Sequence, residues 1–253
     1  MDWLFAQTQL TQSEFLILGV IVMAAGIVRG FSGFALSALV MASAVAILPP
    51  VQLIPICWWL EMMASVLMAR GGWKEADRGV VFGLVIGSTI GVPFGLALTT
   101  SLPVETSKII ALSIIVTLAA IQLAKIRFAF LATKSGLYVA GFTAGIASGL
   151  ASVGGMVVAL YVLSQDAAAN KMRAALVLFL FIGALTSMIT LLYFGVMDSI
   201  ATIRGIIFAP IVAIGVFIGQ RLFTPRLAGY YRPFCLTLLC ALAGAGLVRA
   251  AIS

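Results

Sequence analysis

The chain contains no histidine, 9% charged residues and only three cysteines. Each shortage removes a class of function. Without His there is no imidazole general base, and the commonest metal ligand is missing. Cys57, Cys235 and Cys240 lie inside apolar segments, odd in number and without metal-ligand spacing, so they read as packing thiols. No GxxxxGK[ST] motif occurs, which excludes a phosphate-binding loop for ATP hydrolysis on this chain. Only one carboxylate, Glu61, sits within the apolar stretches. A catalytic constellation cannot be assembled from it, so neither an enzyme nor a cofactor is expected.

What the chain has in abundance is apolar sequence. It is 63% hydrophobic with a mean hydropathy of +1.21, whereas a soluble domain carries about 25% charged residues. This composition belongs to an integral membrane protein whose surroundings are a lipid bilayer. The 253 residues include no long polar segment, so we expect one membrane domain over residues 1–253 and no extramembrane domain. The net charge of +7 sits in short loops between apolar runs. That is the signature of membrane topology, and no nucleic-acid partner is expected. Asp2 and Glu14 precede the first basic residue, Arg29, so the basic start of a signal peptide is missing. The first apolar run is expected to belong to the mature protein.

The apolar runs are 15–28, 34–48, 51–69, 80–100, 107–124, 135–148, 155–163, 174–194, 203–220 and 233–250. A helix needs about 20 residues to cross a bilayer. Runs 15–28, 34–48, 135–148 and 155–163 fall short, so each pair is expected to enter and return. The fold expected is therefore an all-α polytopic membrane protein with two inverted repeats, about 14–124 and 135–250. Each repeat has a pair of short or re-entrant helices at a Gly-rich break, followed by three transmembrane helices. This count puts eleven basic residues, in loops 70–79, 125–134, 164–173 and 221–232, on the cytoplasmic side. Lys108, Arg204 and Arg249 are then left outside with both termini. Trp3, Trp73, Tyr138, Tyr161, Tyr193, Tyr230 and Tyr231 read as interfacial anchors.

The two Gly-rich stretches are AGIVRGFSG at 25–33 and AGIASGLASVGG at 144–155. Gly26, Ile27 and Gly30 align with Gly145, Ile146 and Gly149. Further on, Gly91, Val92, Gly95, Leu98, Thr100 and Lys108 align with Gly215, Val216, Gly219, Leu222, Thr224 and Arg232. A glycine run is expected to interrupt helical order, since Gly costs roughly 1 kcal/mol relative to Ala in a helix interior. In lipid such a break is tolerated only around a protein-lined cavity. Broken pairs in both halves point to a carrier's binding site.

These motifs carry a resemblance. GIASGLASVGG beginning the second half, GIVRGFSGFA in the first, and GVPFGLAL and GVFIGQRL late in each half resemble the sulfite exporter TauE/SafE family of toluene-sulfonate uptake permeases. The first copy departs from the double glycine of the second, with Gly33-Phe34-Ala35 against Gly154-Gly155. The resemblance covers nearly the whole chain. It implies a bacterial inner-membrane carrier whose partner is a small sulfur-containing anion such as sulfite or a sulfonate, and a homodimer is left open.

A desolvated oxyanion needs preorganised donors. Gly30, Ser32, Gly33, Ser148, Ser152, Gly154 and Gly155 are the candidate binding residues, through backbone N–H groups and hydroxyls at the breaks. The bland alternative is that they only let helices approach closely. Arg29, in the first break, offers a fork of donors to a sulfonate, and Glu61, within run 51–69, is a candidate proton carrier. Their alternative is mutual pairing that holds the fold. The function expected is secondary export of the anion by alternating access, coupled to protons through Glu61 if at all. The alternative is an anion channel or a structural membrane subunit.

Overall fold

The computed structural model describes residues 7–165, 169–222 and 228–252. Side chains are described outside 69–75, 169–173, 228–232 and 251–252. Every described element is helical: α1 (Gln12–Ser32), α2 (Leu36–Ala44), α3 (Pro50–Glu75), α4 (Arg78–Ser101), α5 (Val104–Leu123), a 3₁₀ turn (Ala129–Ala132), α6 (Lys134–Ala151), α7 (Gly154–Leu163), α8 (Ala169–Tyr193), α9 (Ser199–Leu222) and α10 (Ala228–Ile252). Each apolar run of the sequence is one of these helices. By length and hydropathy, α1, α3, α4, α5, α8, α9 and α10 can cross a membrane.

Local chemistry sets several helix starts. Thr11 and Glu14 form a reciprocal capping box at α1, while Asp77 accepts from Val80 N to start α4. Thr133 and Asp198 cap α6 and α9 in the same way. Outer faces are apolar, as lipid requires. Phe82, Ile86, Ile90 and Phe94 form an exposed stripe along α4. Tyr193 at the end of α8 and Tyr138 near the start of α6 are exposed, whereas Tyr161 is buried in the core and is no interfacial anchor. Trp3 and the side chains of Arg70, Trp73, Lys74, Lys171, Arg173, Tyr230, Tyr231 and Arg232 lie outside the described residues, as do Thr224 and Arg226.

Two expectations about the breaks need correction. Runs 15–28 and 135–148 are not short helices: α1 has 21 residues and α6 has 18, lengths of about 32 and 27 Å at a rise of about 1.5 Å per residue. Nor do the glycines interrupt them. Only Gly33 to Ala35 and Ser152 to Val153 leave the helical path. The reason is visible in the packing. Gly26 and Gly30 of α1 lie against Gly215 and Gly219 of α9, and Gly145 and Gly149 of α6 lie against Gly91 and Gly95 of α4. A Cβ on any of these would strike the facing backbone. The close approach offsets the propensity cost of glycine, as in small-residue membrane interfaces. Thr99 Oγ1 adds a hydrogen bond to Gly149 O across the second seam, 2.9 Å.

The pairing also exchanges the halves. α1 of the first half runs parallel to α9 of the second, and α6 of the second runs parallel to α4 of the first. Helices α3 and α8 pack on each other, as do α5 and α10. The glycines that align between halves are therefore the ones that bring the halves together.

Candidate functional site

The short helices α2 and α7 follow the two breaks, and each break opens on a residue in the left-handed region. The first turns through Gly33 with φ 81° and Ala35 with φ 74°. The second turns through Ser152 with φ 56°. At the offset that aligns Gly30 with Gly149, Ser152 stands where Gly33 does and Ser148 stands where Arg29 does.

At the second break a cavity of about 80 Å³ opens. One water needs roughly 10–15 Å³ of such space, so the cavity takes a few waters or one small oxyanion. Ser148, Gly149 and Ser152 form one wall. Cys57, Trp58 and Glu61 of α3 face them, with Ser37 of α2 beside Glu61. Ser88 of α4 and Leu180, Gly183 and Ser187 of α8 add to the lining, and the rest of it is apolar. Trp58 is held there by donating Nε1–H to Ala184 O, 2.7 Å. Trp59 turns away and packs against Gly205 of α9.

Glu61 stands eleven residues from the start of α3, about 16 Å along a helix axis, or half the thickness of the hydrocarbon. Its Oε1 accepts from Ser37 N and Ser37 Oγ at 3.3 and 2.9 Å. Behind it lies Arg29, fully buried, with Nη2 3.3 Å from Glu61 Oε2. The guanidinium also donates to Gly33 O and to Ser65 Oγ. In this conformation Arg29 does not line the cavity. It compensates the buried carboxylate and closes the first break.

The remaining expected residues separate cleanly. Ser32 Oγ lies 2.7 Å from both Val28 O and Phe34 O and accepts from Phe34 N, so its hydroxyl serves the turn itself. Gly30 faces α9 and Gly33 faces Arg29. Gly154 begins α7 and packs on Ala144 and Ser148. Gly155 lies against Leu180, whose side chain reaches the cavity. Ser148, Ser152 and Glu61 thus come together at the cavity. Arg29 touches it only through Glu61, and Gly30, Ser32 and Gly33 do not line it. Sequence reasoning did not find Ser37, Ser88 or Ser187. A lone serine in an apolar span was their one available signal.

Two helix breaks and a mostly apolar cavity with serines and one carboxylate in its wall fit a carrier, and the sequence comparison decides the family. The family profile described as Sulfite exporter TauE/SafE matches residues 18–246. The chain belongs to the TauE/SafE family. No curated protein and no solved structure matches it. Membership makes it a membrane transporter of a sulfite exporter family. The TauE/SafE match begins within α1 and ends within α10, so both breaks and the whole cavity lining fall inside it.

Proposed function

We propose that this chain is a secondary transporter of sulfite or a small organosulfonate, binding the anion in the cavity at the second break and exposing it alternately to either side. The observation that supports this most directly is that Ser148, Ser152 and Ser88 line one cavity beside a buried, cation-backed carboxylate. Ser187 is also in the lining, but its hydroxyl is donated to Ala184 O. The arrangement of the halves as inverted repeats in a bacterial inner membrane, with both termini periplasmic, follows from the distribution of basic residues and belongs to the same proposal.

Glu61 is the proton carrier in this reading. Ionised, it offsets Arg29 and offers an anion no net attraction. Protonated, it leaves the guanidinium charge uncompensated behind the cavity wall. At an effective dielectric of about 20, a unit charge one side chain behind the wall favours an anion by on the order of 2 kcal/mol. Proton and anion then bind together, each raising the other's affinity by the same factor. A monoanion accompanied by one proton crosses without net charge, so its direction follows the anion gradient and the pH difference. Without the proton, an inside-negative potential would expel it by about 2.3 kcal/mol per 100 mV.

The test is flux of sulfite and methanesulfonate in proteoliposomes. Saturable uptake, counterflow from the opposite side and acceleration by an imposed pH difference are expected. Flux proportional to concentration with no counterflow would contradict a carrier. Loss of pH acceleration in Glu61→Gln, with counterflow retained, is the expected mark of the proton role.

A further inference from the structure

A second buried cation has no role in the site described above. Arg204 in the first turns of α9 is 4% exposed. Its Nε donates to Thr8 O at 2.7 Å and its Nη1 to Gln52 Oε1 at 2.8 Å. Among the described residues, Nη2 has no hydrogen-bond partner and no carboxylate lies within ion-pair distance. Asp198 and Glu14 are the carboxylates within electrostatic reach. Glu14 is engaged by Thr11, and Asp198 Oδ1 accepts from Ala201 N at the start of α9. A buried guanidinium without an ion pair is costly to keep.

Arg204 lines a cavity of about 220 Å³ together with Gln9, Gln52, Val196 and Asp198. Its position relative to the serine-lined cavity matters. Val51 and Gln52 border the Arg204 cavity, and Ile54 and Cys57 border the other. On the facing side, Gly195 and Val196 border the first and Leu191 and Ser187 the second. The two cavities therefore follow one another along the α3–α8 seam, about one helical turn apart.

We propose that the Arg204 cavity is a separate subsite for a small oxyanion at the mouth of the pathway to Ser148 and Ser152. The free Nη2 and the Gln52 amide N–H, whose oxygen is already turned to Arg204, present donors suited to a sulfonate or sulfite group. Desolvation makes that contact stronger than at a surface arginine. The role as an entry subsite rests on the transport reading; binding at Arg204 does not.

The experiment uses the full chain in lipid nanodiscs for labelling and in proteoliposomes for flux. Cys235 and Cys240 are replaced by Ala, and the buried Cys57 of the inner cavity is kept. Labelling of a reporter Val196→Cys is read against the same chain without it. Thiol labelling is timed in methanesulfonate and in chloride of equal ionic strength. Methanesulfonate is expected to slow labelling at least about five-fold in the parent. In Arg204→Gln the protection should vanish, and in Arg204→Lys, which keeps charge but loses the fork, it should need several-fold more anion. Ser148→Leu, which fills the inner cavity, should abolish flux in proteoliposomes and leave the protection in nanodiscs unchanged. Equal protection in parent and Arg204→Gln, or none in the parent, would overturn the subsite and leave Arg204 as a clamp on the N-terminal segment. Should Arg204→Gln fail to fold, unchanged anion dependence in Arg204→Lys overturns it instead. Protection in a parent that carries no methanesulfonate would keep the subsite and remove the transport reading.

Discussion

Each of the two breaks opens on a left-handed residue, Gly33 and Ser152, and they differ most in what fills the space beside that residue. At the first, Arg29 reaches across to Gly33 O, Ser65 and Glu61, leaving only its Nε and Glu61 Oε2 without a hydrogen bond among the polar atoms of that pair. At the second, the residue aligned with Arg29 is Ser148, whose short side chain lines a cavity. A helix, a left-handed turn and a short return helix do not by themselves make a binding site. What makes one is leaving the side chain short enough for a ligand to enter.

Removing one charge should expose this difference most strongly. Arg29→Gln or Glu61→Gln strands a buried partner, and each should lower stability by about 3–5 kcal/mol, read as a fall in the thermal midpoint in detergent. Ser148→Ala, at the aligned position, should change it by less than about 1 kcal/mol. Next in size is Gly154→Ala. Its Cβ would meet Ala144 O at 2.5 Å and the Ser148 hydroxyl, an overpacking cost of about 1–3 kcal/mol. The opposite change at the first break, Ala35→Gly, relieves a φ of 74° and should stabilise by about 1 kcal/mol.

Ser152→Gly sharpens the comparison further, since it separates stability from binding. It relieves a φ of 56° and should raise stability by up to about 1 kcal/mol. It also removes a hydroxyl from the cavity, so anion affinity should fall by about 1 kcal/mol, or roughly five-fold. Stability and affinity moving together would show that Ser152 serves the turn alone. The smallest effect is expected of Gly155→Ala, whose Cβ would approach the flexible Leu180 side chain at 3.2 Å, with a stability change within about 1 kcal/mol.

Membrane class and helix positions were legible because hydropathy reports burial in lipid directly. The glycine alignments between halves were legible too, but their meaning was not. Gly26 and Gly145 were read as helix interruptions, and they are seams, because propensity measured along one helix says nothing about a second backbone arriving at Cα. Run 15–28 was read as short because Arg29 ends it, and the helix continues because Glu61, far off in sequence, neutralises that charge. Glu61 and Arg29 were found by being charges where none should be. Ser37, Ser88 and Ser187 gave no such signal, since a hydroxyl in an apolar helix usually bonds its own preceding turn. Ser187 Oγ itself does so with Ala184 O, 3.0 Å away, as Thr89 Oγ1 does with Val85 O at 2.9 Å.

The central claim is that the anion sits at the second break while Arg29 serves as a fixed counter-charge. Anion counterflow and thermal stability of the double variant Arg29→Gln/Glu61→Gln, measured beside both single variants, test it most directly. Removing both charges together should restore stability to within about 1 kcal/mol of the parent. Counterflow of methanesulfonate should persist with half-saturation shifted by less than about 30-fold, the scale of one compensated charge at a distance. A double variant that regains its stability yet no longer binds or exchanges the anion would contradict the account and place the substrate on Arg29.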